Sequence, residues 1–348
     1  MCSQYTHAPG ARKTWCDGPM SPNAEHDAME RALAALAPIG EAARRRALVI
    51  VNPYATSVSE RLRNLVIYAL AARYEVEAVE TLRSGHATEI ARAATGDRYD
   101  LVIAFGGDGT VNEVANGLAG SLVPLSCLPG GSANVYCKLL GIPGEIVDAT
   151  EHLLRMADRF APRQVDLGLV EGRHYTFSAG VGIDADVVRR VDGRPALKRR
   201  FGPWFFTAVA GAVVARSYLV RPPRMLVETA AGTFAGVTAI VQNGEHYTYF
   251  HDRPVDLADG VALDGGALSG VVLERASVVG LGTLAARALL PGARVTRHRR
   301  VASFRGSSPV TISTADGRAL PLQVDGDYLG EVTEARFQVR PRALTVAA

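Results

Sequence analysis

The sequence predicts an α/β protein, with an N-terminal doubly wound domain followed by a C-terminal antiparallel β-sandwich domain. Three observations carry this reading. Up to about residue 162, short apolar runs alternate with segments whose apolar residues recur at helical spacing, the pattern of parallel strands joined by helical crossovers. Beyond it, short β-branched or alternating runs follow closely on one another, separated by turn pairs such as Glu171-Gly172, Ala231-Gly232 and Asp316-Gly317. Apolar residues make up 48% of the 348 and charged ones 21%, enough for large cores and too apolar for general disorder.

Taken in order, residues 1–24 are polar and rich in Gly, Pro, His and Ser and read as disordered, and 28–43 read as an Ala-rich helix before the Arg44-Arg45-Arg46 run. Residues 47–51 form a buried-type strand ended by Asn52-Pro53, because proline cannot continue a central ladder. A helix follows, with Ser57 and Glu60 at capping-box spacing and Val58, Leu62, Leu65, Val66, Ala69 and Leu70 on one face. The second strand is expected at 74–81 and the next helix at 86–94. Residues 101–105 are an unbroken apolar run stopped by Gly106 and Gly107. Thr110 and Glu113 then stand at capping-box spacing before Val111, Val114, Ala115 and Leu118, so a helix opens at once. A fourth strand at 125–128 is broken by Pro129-Gly130-Gly131, and a helix at 132–140 is stopped by Gly141 and Pro143. The β-rich half offers strands at 164–170, 174–179, 225–229, 233–242, 267–274, 295–304 and 310–314, interrupted by helical patches around 184–215 and 277–290.

The chemistry gathers at strand ends. In a doubly wound sheet, ligands bind outside the carboxyl ends of the strands, where Asn52-Pro53, residues 106–110 and residues 129–134 all fall. Glycines let backbone approach a phosphate, and the first N–H groups of a helix have no internal partners. Two such turns on one rim suit a nucleoside triphosphate better than a single anion. Asp108 would repel a polyphosphate unless a cation lay between them, which points to Mg²⁺; the plainer reading is a carboxylate that caps a helix.

Composition limits the partners. A net charge of +3 gives no general case for nucleic acid. Cys2, Cys16, Cys127 and Cys137 have neither metal spacing nor disulfide-scaffold density, and read as free thiols in a reducing compartment. The first 45 residues lack the apolar core of a signal peptide, so a cytoplasmic location is expected. The apolar stretch at 204–215 is too short to span a bilayer. Trp204, Phe205, Phe206, Val209, Val213 and Val214 follow Lys198-Arg199-Arg200, with Arg189, Arg190 and Arg194 upstream. This segment reads either as an interfacial anchor on anionic lipid at the inner face of the membrane or as a helix packed on the β domain. A homodimer is left open.

Five motifs, in order, carry a family resemblance: Asn52-Pro53, Phe105-Gly-Gly-Asp-Gly-Thr-Val-Asn-Glu-Val-Ala-Asn-Gly-Leu118, Pro129-Gly-Gly-Ser-Ala-Asn134, Val165-Asp-Leu-Gly168 and Val324-Asp-Gly-Asp327. Over roughly residues 46–345 the chain resembles the bacterial diacylglycerol kinase-like lipid kinases, kin to the sphingosine kinases. The resemblance implies an extension at 1–45, a nucleotide-binding domain at 46–162 and 329–348, and a lipid-substrate domain at 163–328. ATP would lie in the cleft, with diacylglycerol the expected acceptor. Carried over by position, Asn52, His86, Gly106, Gly107, Gly109, Thr110, Gly130, Gly131, Ser132 and Asn134 would contact the nucleotide. Asp108 and Asp327 would serve the metal, Asp108 also sharing in catalysis, and Asp325 matches the proposed general base. Asp325-Gly326 also reads, without the resemblance, as a common hairpin turn. The chain departs from the family pattern at Val135-Tyr136, often Asp-Phe; at Asp327, usually Glu; and at Gly244-Glu-His-Tyr-Thr-Tyr-Phe250, which replaces a Gly-rich segment. A soluble NAD kinase shares the Gly-Gly-Asp-Gly-Thr loop, and a non-catalytic nucleotide- or lipid-binding protein is the third reading.

Overall fold

The computed structural model describes residues 44–192, 218, 222–250, 253–290 and 292–348. The expectations for 1–24, 28–43 and the basic and aromatic segment at 194–215 lie outside the described residues.

Four parallel strands lie in the order β2 (Tyr74–Glu80), β1 (Arg45–Val51), β3 (Leu101–Gly106) and β4 (Leu125–Pro129). Strand β3 is buried at every residue, as its unbroken apolar run requires. Strand β2 is at the sheet edge, so Glu75, Glu77 and Glu80 point to water at little cost. The crossovers run through helices α1 (Glu60–Leu70), α2 (His86–Ala94), α3 (Asp108–Leu118), α4 (Val135–Leu139) and α5 (Ile146–Met156); α1 packs with α5, and α2 with α3.

Several boundaries differ from the sequence reading, each for a local reason. Strand β1 starts at Arg45, two residues early. Arg45 stacks on the Phe160 ring at 4.4 Å and Arg46 on the Tyr99 ring at 4.8 Å, which gives their stems a packed surface in the strand. Helix α1 is capped by Ser59, whose Oγ accepts the Leu62 N–H at 3.2 Å. Ser57 is engaged elsewhere, its N–H donating to the Gly130 carbonyl at 3.0 Å. Helix α4 begins three residues late because Asn134 stands at φ 48 as its N-cap.

The β-rich half is a two-layer sandwich. In one layer β18 (Glu334–Val346) pairs with β15 (Val310–Thr314), which continues through β8 (Met225–Thr229) to β9 (Gly232–Gly236). Strand β18 also runs antiparallel to β5 (Arg163–Val170), which carries β6 (Arg173–Tyr175), and meets β4 in parallel through Val346 opposite Leu125. The parallel sheet and this layer are therefore one ten-stranded sheet.

The other layer is antiparallel, in the order β14 (Val301–Gly306), β13 (Leu268–Leu273), β10 (Thr238–Gln242), β7 (Ser178–Val181), β16 (Leu320–Val324) and β17 (Asp327–Val332). Met225, Val227, Ile312 and Phe337 of the first layer share a core with Val181, Val241, Leu268 and Leu322 of the second. Helices α6 (Ile183–Asp192) and α7 (Val278–Leu289) and a small hairpin of β11 (Thr248–Phe250) and β12 (Arg253–Val255) complete the described part.

Two expected strands are each two. The run at 174–179 breaks between β6 and β7, and the run at 233–242 breaks at Val237, where the chain leaves one layer for the other. At that crossing a Cβ on Gly236 would lie 2.5 Å from Val272 Cγ1, so only glycine fits. The run at 295–304 becomes a strand only from Val301, after a single 3₁₀ turn at Val295–Arg297. Among the described residues, no helix is long and apolar enough to cross a membrane.

Candidate active site

The site is built where β3 and β4 end side by side. Gly106 pairs with Pro129 as the last rung of the ladder, and the Gly130 N–H donates to the Gly106 carbonyl at 2.8 Å. Beyond that rung the two glycine turns lie backbone against backbone. A Cβ on Gly130 would stand 2.9 Å from Gly106 Cα, and one on Gly131 would stand 2.8 Å from Gly107 Cα. Any side chain there would wedge the turns apart, which explains the Gly-Gly pairs at both ends.

Helix α3 opens directly from the first turn. No side chain caps it, and its first backbone bond runs from the Val111 N–H to the Gly107 carbonyl at 3.1 Å. The N–H groups of Asp108, Gly109 and Thr110 thus precede the helical ladder, at the end of the helix that favours negative charge.

Many of the side chains expected at the nucleotide build this frame. Asn52 Nδ2 donates to Thr110 Oγ1 at 3.0 Å, and Asn52 Oδ1 accepts the Tyr54 N–H at 3.0 Å. Asn134 closes the second turn on itself, with Oδ1 accepting the Gly131 N–H at 2.8 Å and Nδ2 donating to the Gly131 carbonyl at 2.9 Å. His86 Nδ1 accepts the Leu82 N–H at 3.1 Å, which shapes the turn into α2. Ser132 is exposed at the second turn. The expected Thr110–Glu113 capping box does not form. Thr110 packs on Gly106, and the Glu113 carboxylate accepts the N–H groups of Gly85 at 2.8 Å and Ala87 at 3.1 Å, so it caps α2.

Asp108 is half-buried, and its Oδ1 accepts the Tyr136 N–H at 3.1 Å, tying the first turn to the start of α4. Burial pushes its carboxyl up to about 6; the N–H groups of Tyr136 and Val135 oppose that rise, and the Asp325 carboxylate adds to it. A group so poised gains by meeting a cation.

Asp325 and Asp327 sit on a two-residue hairpin. Val324 pairs with Asp327, and Asp325 at φ 47 and Gly326 at φ 86 form the left-handed tip that such a turn demands. Asp325 is 4% exposed. Its Oδ2 accepts from Asn112 Nδ2 at 2.7 Å, the Thr176 N–H at 2.6 Å and Thr176 Oγ1 at 2.8 Å, and its Oδ1 from the Phe177 and Ser178 N–H groups at 3.0 Å each. Burial raises its pKa, and the donors from Thr176, Ser178 and Phe177 oppose the rise. Asp327 is partly exposed and lies against the first turn. A Cβ on Gly109 would be 2.9 Å from Asp327 Oδ2 and 3.2 Å from Oδ1.

The link between Asp325 and α3 is a residue of the first glycine motif to which the sequence reading gave no role. Asn112 lies one turn after Asp108 and is fully buried. Its Oδ1 accepts Arg173 Nε at 3.0 Å and the neighbouring Arg173 guanidinium nitrogen at 2.6 Å, while its Nδ2 donates to Asp325 and to the His174 carbonyl at 2.9 Å. Arginine only donates, so Arg173 fixes which end of the amide faces Asp325. A polar residue inside the apolar stripe of α3 was the available signal.

Among the described residues, no group of three or more His, Cys, Asp and Glu side chains could hold a metal alone. Asp108, with Asp327 beside Gly109, fits Mg²⁺ bound by one or two carboxylates together with phosphate oxygens, the usual arrangement for that ion. Cys127 and Cys137 are free and buried.

Comparison with known proteins agrees with this geometry. The diacylglycerol kinase catalytic domain family matches residues 46–169, which include both glycine turns. A diacylglycerol kinase of Staphylococcus aureus is 28% identical over 298 residues, covering 83% of this chain and 88% of that protein. One of Staphylococcus epidermidis is 29% identical with the same coverage. A crystal structure of a diacylglycerol kinase from Bacillus anthracis has a TM-score of 0.64 at 20% identity, covering 88% of this chain and 97% of that one, a likeness of fold. The chain thus matches the diacylglycerol kinase catalytic domain over residues 46–169 and is similar to bacterial diacylglycerol kinases along most of its length.

Proposed function

We propose that this protein transfers the γ-phosphate of ATP to a lipid hydroxyl, with diacylglycerol as acceptor and phosphatidic acid as product. One observation carries the reading: two glycine turns packed backbone against backbone at the ends of β3 and β4, opening into the uncapped start of α3, with Asp108 and Asp327 at its edge. Phosphoryl transfer needs in-line positioning, charge neutralisation and a group to take the hydroxyl proton.

The chain's own groups divide this labour. Backbone N–H groups of Asp108, Gly109 and Thr110 bind phosphate oxygens, while those of Gly130 and Gly131 are used to hold the two turns together. Asn52, Thr110 and Asn134 hold both turns in shape, so the donors need little reorganisation when charge develops. Asp108, with Asp327 at hand, would hold Mg²⁺, which would supply neutralisation of phosphate charge. A carboxylate of the 324–327 hairpin takes the hydroxyl proton. The acceptor is reached at an anionic membrane surface, for which the basic and aromatic residues at 198–206 are the sequence-level support.

The test is transfer by the purified protein from ATP and Mg²⁺ to diacylglycerol in mixed micelles. Formation of phosphatidic acid supports the reading. Phosphorylation of NAD without lipid, or nucleotide binding without any transfer, would replace it.

A further inference from the structure

One strongly basic stretch of the chain plays no part in the site described above. Residues 275–305 hold seven arginines and no Asp or Glu, although the whole chain nets only +3. Arg294, Arg297, Arg299 and Arg305 are exposed. Among the described residues, the one ion pair on this stretch joins Arg294 to Asp259, at 3.9 Å between exposed side chains. Most of its charge therefore has no carboxylate to answer it.

The stretch folds back along helix α7. Ser277 caps that helix, its Oγ accepting the Gly280 N–H at 3.1 Å and Arg300 Nη1 at 2.7 Å. Midway along, Thr283 Oγ1 and His298 Nε2 lie 3.1 Å apart, and at the far end Arg287 Nη1 donates to the Arg294 carbonyl at 3.3 Å. The arginines thus border α7 from end to end. They also crowd one another: burial and the cations of Arg287, Arg299 and Arg300 hold the His298 pKa below its usual value.

Helix α7 is apolar on both sides. Leu281 and Leu284 pack with Val187 and Val191 of α6 and with Val237 and Leu273. On the other side Val279, Gly282, Thr283, Ala286, Leu289 and Leu290 recur at helical spacing, and all are exposed. Val279 is 79% exposed, Leu289 55% and Leu290 60%. A surface helix ordinarily turns charged residues outward, yet the one charged residue of α7 is Arg287. An apolar face bordered by arginines is complementary to acyl chains under anionic headgroups. Nucleic acid would meet the cations but leave Val279 and the two leucines against water.

We infer that α7 and the arginines at 294–305 form a docking surface for an anionic bilayer, with Val279, Leu289 and Leu290 entering the interfacial region. The choice of a bilayer as occupant rests on the lipid-kinase reading above. From this surface the path to the site is short. Helix α6 packs on α7, and at its start Asp184 Oδ2 accepts Gln323 Nε2 at 2.5 Å, while Gln323 Oε1 accepts the Gly326 N–H of the hairpin tip at 2.9 Å.

The experiment is co-sedimentation of the full chain with vesicles of phosphatidylcholine alone, and of phosphatidylcholine mixed with phosphatidylglycerol, at low and high salt. The parent is compared with a triple variant, Arg297→Gln, Arg299→Gln and Arg305→Gln, and with a double variant, Leu289→Gln and Leu290→Gln. All five positions are exposed, so the urea-unfolding midpoints should match the parent. The parent should prefer the anionic vesicles and lose that preference at high salt. At low salt the arginine variant should bind them about tenfold to a hundredfold more weakly, and the leucine variant about tenfold more weakly. Transfer to a short-chain diacylglycerol dispersed as monomers should stay at the parent rate in both.

Equal binding of the parent to both vesicle types, or sedimentation of either variant like the parent, would overturn the assignment. A leucine variant that binds vesicles normally yet shifts from dimer to monomer in analytical ultracentrifugation would give the face to a second copy of the chain instead. A parent protein that docks as described but phosphorylates no lipid would overturn the kinase reading and leave the docking surface standing.

Discussion

Replacing Asp108 by Asn should make the unliganded protein more stable while nearly abolishing turnover. The carboxyl is displaced from 3.8 to about 6, chiefly by burial. Between those values the folded chain holds a proton that the unfolded chain has released, so stability falls as pH rises through that window and is level above it. At about 1.4 kcal/mol for each tenfold in proton affinity, the ionised carboxylate costs roughly 2–3 kcal/mol at neutral pH. Asn keeps an oxygen to accept the Tyr136 N–H and almost the same volume, so the cap on α4 survives.

Urea unfolding at about pH 4 and about pH 7.5 measures the difference. Asp108→Asn should match the parent at the lower pH and exceed it by roughly 2–3 kcal/mol at the higher one. Adding Mg²⁺ and ADP at about a hundred times Kd should stabilise the parent by about 2.7 kcal/mol and the variant by much less. A gain of equal size at both pH values would show that it comes from packing, and no gain at the higher pH would remove the account of Asp108 as a poised metal carboxylate.

Other outcomes follow from single contacts. Gly131→Ala places a Cβ 2.8 Å from Gly107 Cα, so it should separate the glycine turns, cost about 1–3 kcal/mol and raise KM for ATP, read by urea unfolding and initial rates. Asn112→Leu leaves a donor short at Asp325 and the Arg173 guanidinium without its acceptor, and should cost about 1–3 kcal/mol at a fully buried position, read as a lower unfolding midpoint. Changing Lys198, Arg199 and Arg200 together to Gln should weaken sedimentation with anionic vesicles by up to about a hundredfold at low salt, at about 1 kcal/mol per basic residue. Binding indifferent to both salt and the triple variant would place the docking surface elsewhere.

The fold was legible wherever one local rule sufficed. The buried run of β3, its glycine stop and the helix that follows are all encoded within residues 101–118, and they appear as read. Caps were misassigned because capping spacing says nothing about which helix a carboxylate serves: Glu113 has the right offset from Thr110 but lies closer to the start of α2. The break at Val237 is likewise invisible to periodicity, since both halves of 233–242 are β-forming and the change of layer is set by contact with Val272 and Leu273.

At the site, sequence named the backbone better than the side chains. The glycine turns could be placed because their chemistry is local. The Asn52–Thr110 bond and the enclosure of Asp325 by Thr176–Ser178 and Asn112 join residues 58 to 213 positions apart. No spacing rule reaches that far.

The central claim is that the paired glycine turns serve phosphoryl transfer to a lipid. Its most direct measurement is incubation of the purified protein with γ-labelled ATP, Mg²⁺ and a total lipid extract, followed by identification of the labelled species. The account predicts label in a lipid phosphate that migrates as phosphatidic acid, absent when Asp108 is replaced by Asn. Label in NADP on addition of NAD, or a protein that binds ATP yet labels no lipid at all, would contradict it.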